Sequence, residues 1–427
     1  MIVKVRNTIP SVENDHVFLL QCLRILNVSQ QTSYDNSIES FEYHSYKPYV
    51  TSFNKNDEIR IPINQQDLYV LPSLSSLYID GKVNVYNSTT KEKVSNVHFV
   101  NNPVLFLFRD IRYELNGVEI DQIKIAGVTT TIKSYLSLNE NNENKSKCTR
   151  VWGWSTGGTS NTSGGAFSTS IPLKNILAFA EDYEKNIINC KHELVLLRSN
   201  TNLNAIKLNT SEVVEDIIIN EIVWRVPHIK VSERERISLL KHLEKDRDIP
   251  LAFRSWDLYE YPLLPKTRKH TWSIKTSSQI EKPRFVVIAL QTNRKHNAKL
   301  SMAEFDHCHV RDVKVFVNSS YYPYEGLNVS FSEDKFILLY GQYARFQQSY
   351  HGRQLEPLMG LKEFRDVVPL FVIDCSRQHE TLKGSIDVRV EIETDQEIPD
   401  QTTAYCLILN DCIFEYKPLS NIVKKIS

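Results

Sequence analysis

Arg109-Asp-Ile-Arg-Tyr-Glu-Leu-Asn-Gly117 returns, altered, as Arg311-Asp-Val-Lys-Val-Phe-Val-Asn-Ser319. In both stretches an Arg-Asp pair leads into a run in which hydrophobic residues alternate with charged or longer ones. Both runs end in Asn and a small residue. Alternation with a period of two marks a half-buried strand. Asn followed by Gly suits a tight hairpin turn, because both residues tolerate positive φ. The copies lie about 200 residues apart. That exceeds the roughly 20–50-residue period of a solenoid and suits a large all-β domain of roughly 200–250 residues. The pair therefore predicts one β domain, duplicated and diverged.

The bulk properties fit that reading. Of 427 residues, 41% are hydrophobic and 24% charged, as in a soluble globular chain with ample length to bury a core. Length alone suggests about three domains, and large β sandwiches make two equally acceptable. Lys plus Arg equals Asp plus Glu at 51 each, which argues against a general electrostatic grip on nucleic acid. Tyr (20) and Phe (18) outnumber Gly (13), a bias towards strands. The seven cysteines are Cys22, Cys148, Cys190, Cys308, Cys375, Cys406 and Cys412. An odd count without short paired spacings is not a disulfide framework and points to a reducing compartment. The N-terminus lacks a signal-peptide core, and runs such as Phe285 to Leu290 fall far short of a membrane span.

Strand signals recur along the chain. The first half offers Val17 to Leu20, Glu58 to Ile61, Leu68 to Leu71 and Pro103 to Phe108. Ser76 to Tyr86 reads as two strands closed at Asp80-Gly81. Residues 128–138 read as a short surface helix, and 153–165 as an exposed Gly/Ser/Thr loop. Ser170 to Glu181 reads as a helix started by Pro172, followed by strands at Glu193 to Leu197 and Ile217 to Val226. Ser232-Glu-Arg-Glu235 is a capping box, and Ile237, Leu240 and Leu243 stripe the helix behind it. That helix bridges the halves: 1–231 is expected to be one domain, 232–248 the connector and 249–427 the second domain.

The second half repeats the programme with Leu251 to Trp256, His270 to Ile274, Arg284 to Leu290 and Phe336 to Tyr340. Val368-Pro-Leu370 echoes Ile171-Pro-Leu173. In Ser385 to Glu393, Ile386, Val388, Val390 and Ile392 alternate with charged residues, and Ala404 to Leu409 is apolar enough for cover on both faces. Many short strands, hairpin turns and few helices define an all-β sandwich, barrel or jelly roll.

Motifs for chemistry are sparse. Gly153-Trp-Ser-Thr-Gly157 matches a nucleophile elbow, but the residues after Ser155 are poor helix formers, so a flexible loop is the better reading. On a strand His307 and His309 point one way and Cys308 the other, so the three do not converge on one ion. Asp110 and Asp312 lie in a repeated motif, which favours a structural role over catalysis, since one catalytic site need not occur twice. The cluster Lys266-Thr-Arg-Lys-His270 reads as a solvated loop, and Trp224, Trp256 and Trp272 as core. The sequence shows no Walker lysine motif, Gly-x-Gly-x-x-Gly or His-Glu-x-x-His. No catalytic, cofactor-binding or metal-ligating residue is assigned, and no cofactor is expected.

Several stretches carry a family likeness: Arg112 to Ile120, Trp224 to His228, Ile249 to Tyr259, Glu281 to Arg284, Phe305 to Cys308 and Tyr321 to Tyr324. They resemble the double-jelly-roll-like domain proteins of invertebrate genomes, a group similar to major capsid proteins of Polinton (Maverick) and adintovirus-type elements. The resemblance implies two tandem eight-stranded jelly rolls with a few short helices, and a non-enzymatic major capsid protein. It implies homotrimeric, pseudo-hexagonal capsomers tiling an icosahedral virion shell. The subunit would be made in the host cytoplasm and assembled there or in the nucleus. Its partners would be other copies of itself and a penton or minor capsid protein, with weak or no contact to nucleic acid. A jelly roll can also be a ligand- or glycan-binding module, for which Tyr321, Tyr322 and Tyr324 are the candidates. An enzyme using Ser155, or a metal at His307 and His309, is the third alternative.

Overall fold

The computed structural model describes residues 37–63, 69–94, 96–139, 159–244, 247–274, 282–377 and 386–426, with backbone alone at 159–163, 215 and 242. In the first half the elements are β1 (Ile38–Tyr46), β2 (Glu58–Ile63), β3 (Tyr69–Val70), β4 (Ser76–Asn87), β5 (Asn96–Val100), β6 (Phe108–Leu115), β7 (Val118–Lys124), α1 (Ala126–Ser137), β8 (Thr159–Ser163), β9 (Ala166–Pro172), α2 (Leu173–Ile176), α3 (Ala178–Asp182), β10 (His192–Arg198), β11 (Ile206–Lys207) and β12 (Glu212–Val231). After α4 (Glu233–Leu243) come β13 (Ile249–Tyr261), β14 (Lys269–Ile274), β15 (Pro283–Thr292), β16 (Val310–Val317), β17 (Ser320–Tyr322), α5 (Ile337–His351), α6 (Leu361–Val367), β18 (Phe371–Asp374), β19 (Val388–Thr394), β20 (Thr402–Lys417) and β21 (Ile422–Ile426).

The sheets repeat one plan. The first half pairs its strands in the orders β1-β12-β4-β9 and β2-β10-β6-β7; the second uses β13-β20-β15-β18 and β14-β19-β16-β17. Numbered within each half's eight main strands, these orders are identical: first, eighth, third, sixth, and second, seventh, fourth, fifth. Two such four-stranded antiparallel sheets face to face make a jelly roll, and this chain has two. The small sheet β11-β5-β8 is an addition to the first.

The repeated motif occupies the same strand in both rolls. Phe108, Ile111, Tyr113 and Leu115 are buried in β6; Val310, Val313, Val315 and Val317 are buried at the same spacing in β16. Asn116 (φ 51°) and Gly117 (φ 79°) close the β6–β7 hairpin, and Asn318 (φ 54°) turns β16 into β17. Alternation along β19 follows the same logic, with Val388, Val390 and Ile392 inside. Thr402–Asn410 of β20 is buried on both faces.

Several expectations are corrected. Ser76–Asn87 is one continuous strand, not two closed at Asp80-Gly81. It hydrogen-bonds to β12 on one side and β9 on the other, and that pairing overrides the turn signal. Gly81 serves close approach: a Cβ there would lie 2.5 Å from the Phe167 ring and 2.6 Å from the Ile218 carbonyl oxygen. Pro103–Leu107 is a 3-10 helix rather than strand. The expected surface helix is α1, which is almost wholly buried. Within the expected loop, Thr159–Ser163 pairs with β5 as a strand. Ser170 to Glu181 is split, with β9 continuing to Pro172 before α2 and α3.

Phe336 to Tyr340 enters α5, not a strand. Leu339, Tyr343, Phe346 and Tyr350 form its buried stripe, a helical spacing that extends beyond the short apolar window. Ile171-Pro-Leu173 ends β9, whereas Val368-Pro-Leu370 precedes β18, so the echo falls at opposite ends of equivalent strands. Ser232 caps the helix as expected, with the Glu235 N–H donating to its hydroxyl at 3.4 Å, but the Ser232 N–H donates to the Ser37 carbonyl at 2.9 Å rather than to the Glu235 side chain, so the box is half formed. Val17 to Leu20 and Ser155 lie outside the described residues. No helix of the described residues is long and apolar enough to cross a membrane.

Candidate functional site

Both Arg-Asp pairs sit near the start of equivalent strands, yet they make different contacts. Arg109 Nε donates to Asp110 at 2.9 Å on the surface. Asp312 instead accepts from the Leu327 N–H at 2.9 Å and lies 3.6 Å from Lys314. Each carboxylate is thus engaged in local structure.

His307, Cys308 and His309 form a turn rather than a strand, with Cys308 (φ 43°) and His309 (φ 51°) left-handed. His307 stacks on Phe331 at 4.5 Å, and its Nδ1 accepts from the His309 N–H at 3.1 Å. Cys308 is buried with its sulfur 3.5 Å from the Thr292 hydroxyl, and burial pushes its thiol pKa up to about 11. Among the described residues no three His, Cys, Asp or Glu side chains are grouped as metal ligands. The neighbouring Asp306 clamps Arg294 with bonds of 3.0 and 2.7 Å and caps the Thr292 N–H, so this motif ties one loop to β15.

In the basic cluster both lysines are paired, Lys266 to Asp400 at 3.0 Å and Lys269 to Glu393 at 3.3 Å, and His270 is buried. Trp224 and Trp256 are core, and Trp272 is half-buried against Tyr261. The tyrosine group divides. Tyr322 donates its hydroxyl to the Arg377 carbonyl, while Tyr321 and Tyr324 are 41% and 84% exposed and stack at 6.1 Å.

The most elaborate polar site joins the two rolls, and no sequence motif announced it. The Asp182 carboxylate at the end of α3 accepts from Arg254 Nε at 2.9 Å and Nη2 at 2.6 Å, and also from the Arg254 N–H at 2.9 Å. Beside it Phe179 meets Phe253 edge to face at 5.4 Å. Asp121 of β7, buried, accepts from the Phe179 N–H at 2.9 Å, and burial raises its carboxyl to about 6. Buried Lys133 of α1 reaches Glu181 at 2.9 Å and lies over the Trp256 ring. Helix α1 also bonds across the joint: the Tyr135 hydroxyl donates to the Ala303 carbonyl at 2.9 Å, and Tyr343 of α5 donates to the Tyr135 carbonyl at 2.8 Å. Gln347 donates to the Leu138 carbonyl at 2.7 Å. Satisfied donors and acceptors of this kind fix one arrangement of two bodies. These polar groups bond to one another where the two rolls meet.

Exposed apolar groups gather elsewhere. On edge strand β1, Phe41 and Tyr43 are 43% and 50% exposed and meet edge to face at 5.6 Å. Tyr43 lies beneath Arg225 and borders a groove of about 340 Å³, also lined by Leu74, Pro172 and Lys174. Ile237 and Leu240 of α4, expected as an apolar stripe, are exposed as well. The two rolls thus meet over a polar joint and leave apolar groups of β1 and α4 exposed.

This architecture defines a double-jelly-roll protein. The chain belongs to the double jelly roll-like domain family, whose model matches residues 97–414. No curated protein matches it. Among solved structures it is similar to a chain of the Sputnik virophage, at 11% identity and a TM-score of 0.62, covering 100% of this chain and 93% of that one. It is similar to the PBCV-1 virus capsid at 10% identity and a TM-score of 0.53, covering 93% and 99%. The mavirus major capsid protein matches at 10% identity and a TM-score of 0.51, covering 100% and 96%. At these identities the likeness is one of fold.

Proposed function

We propose that this chain is a major capsid subunit of a virus or virus-derived element, related to the Polinton and adintovirus type, and that its work is assembly rather than catalysis. The observation that carries the proposal is the identical strand order of two rolls in one chain. Three such chains about a closed threefold axis present six similar units, which suits a pseudo-hexagonal capsomer in a shell. The fold shared with virophage and PBCV-1 capsids supports it. We assign residues 1–231 to the first roll, 232–248 to the connector and 249–427 to the second roll. The partners are other copies of the chain and a penton or minor capsid protein, and the destination is the virion. The balanced formal charge favours weak genome contact over a dedicated nucleic-acid surface.

Static light scattering on the purified full chain tests the reading. The expected mass is that of a trimer or a larger particle, with hexagonal capsomers in electron micrographs. A monomer at every protein and salt concentration would overturn it.

A further inference from the structure

A groove of about 310 Å³ opens at the end of the second roll where β13 and β15 finish and β20 begins. That volume lies at the lower end of the roughly 300–1,000 Å³ range of small-molecule sites. Its buried lining comes from the β13-β20-β15 sheet. Gln291 pairs with Thr403, and Tyr405 stands two residues further along β20, so the three side chains project from one face of that sheet. The rim is Pro262 and Leu263 after β13 and Asn293 to His296 after β15. The second of these loops is held in place. Asn204 of the first roll accepts from the His296 N–H at 2.9 Å, and Glu304 and Asp306 clamp Arg294 at 3.0 and 2.7 Å.

Two polar atoms of that lining have no hydrogen-bond partner among the described residues. Gln291 is 2% exposed, and its amide nitrogen donates to the Met302 and Glu304 carbonyls at 2.9 and 2.8 Å. Both carbonyls require a donor, which fixes the amide orientation and leaves Oε1 as an acceptor that receives nothing. Tyr405 is 1% exposed, and its hydroxyl is likewise unpartnered. Buried polar groups left in this way are costly to the fold until something bonds them. The cations of the lining, by contrast, are neutralised. Lys295 lies 2.6 Å from Glu260, and Arg294 bonds to Asp306, Glu304 and the Ser301 carbonyl.

We infer that this groove binds a neutral sugar. The occupant must give a hydrogen to Gln291 Oε1 and bond the Tyr405 hydroxyl, which both gives and accepts; sugar hydroxyls do the same. An anion has no hydrogen to give to Gln291 and meets cations already paired with carboxylates. An extended peptide binds by adding to an open sheet edge, and this end of the sheet offers none. Tyr261 pairs with Ala404 and Thr292 with Thr402, while the Leu264 and Asn293 N–H groups donate to the Thr402 and Gln401 carbonyls at 2.9 and 3.0 Å. Pro262 and Leu263, the latter 64% exposed, supply an apolar wall for the C–H face of a sugar ring. Tyr321 and Tyr324 take no part in this site, and it does not rest on the capsomer reading.

Ligand-observed NMR titration of the purified full chain tests it. The probes are glucose, galactose, mannose and N-acetylglucosamine, each as the free sugar and as its methyl glycoside, with sulfate and N-acetylalanine methylamide as the anionic and peptide controls. At least one sugar is expected to bind with a Kd on the order of 1 mM, and neither control is. Binding of glycosides assigns the end of a glycan chain, and binding of free sugars alone assigns a free saccharide; either result meets the inference. Tyr405→Phe removes only the hydroxyl, so it is expected to weaken binding about tenfold while the melting temperature holds or rises. Leu263→Asp, at an exposed position that leaves the fold intact, is expected to weaken binding as well and serves if the first variant does not fold. No sugar bound at tens of millimolar overturns the site, as does a control that binds in place of the sugars. Equal binding by wild type and both variants overturns it too. A folded Tyr405→Phe that melts lower than wild type shows that a fixed water already bonds the hydroxyl, which also overturns it.

Discussion

Arg254 and Asp182 are the clearest case of a side-chain pair working between bodies rather than within one. The Arg254 side chain makes two bonds to Asp182, and both groups are partly sheltered. Removing one partner leaves the other charge desolvated, so Asp182→Ala is expected to lower stability by roughly 3 kcal/mol, read as a shift of the urea midpoint. Other single residues set the pH response. His192, His228 and His351 are depressed to about 3, 4 and 4, chiefly by burial. They stay neutral in the folded chain while unfolded histidine titrates near 6.5. As pH falls from about 6.5 towards 4 the unfolded chain takes up protons first, so stability falls across that window. Asp121, raised to about 6, acts oppositely: its contribution is greatest below the ordinary carboxylate range and declines as pH rises through 6. With three imidazoles against it, melting temperature is expected to drop between pH 6.5 and pH 4, and His228→Gln should flatten that slope.

At the scale of elements, β4 shows how pairing outweighs local chemistry. Asp80-Gly81 carries the composition of a turn, yet the strand runs straight through it between two neighbours. The glycine is required because the Phe167 ring and a β12 carbonyl occupy the place of a side chain. Gly81→Val is therefore expected to cost about 2–3 kcal/mol through overpacking, measured as a lower melting temperature with secondary structure retained. Helix α1 is the reverse case. Its threonines and single lysine look polar, but the Thr130 hydroxyl donates to the Ala126 carbonyl one turn back, the Thr129 hydroxyl donates to the Lys124 carbonyl at the end of β7, and Lys133 is paired. A polar-looking helix can be buried when polar groups such as these find partners inside, although the buried Thr131 and Ser137 hydroxyls find none.

In the whole molecule the two rolls share a joint with buried groups from both sides, so they are expected to unfold together. Calorimetry should show one transition for the native chain. Loosening the joint with Asp182→Ala and Gln347→Ala should separate it into two, because each roll keeps its own pair of facing sheets. Two transitions in the native chain would mean that the joint couples the rolls weakly. The same joint explains why the family-like stretches are structural: Ile249 to Tyr259 is the strand that the first roll covers, and Phe305 to Cys308 anchors the clamp on Arg294.

What the sequence determined by itself was the strand character and the duplication. Period-two alternation and Asn-led turns are local, and they survive in Phe108–Leu115 and Val310–Val317 with the same inward positions. It also placed Asp110 and Asp312 at matching points of those strands, although it could not foresee that they bond differently. Only the tertiary structure decided which segments meet. Asp182 and Arg254 lie 72 positions apart, and no local pattern links an α3 carboxylate to a β13 guanidinium. Nor does spacing reveal what remains uncovered. Phe41 and Tyr43 alternate along their strand as core residues would, and they are exposed because nothing described in this chain closes over the outer edge of β1. Burial depends on the neighbour across the gap, which local spacing does not specify.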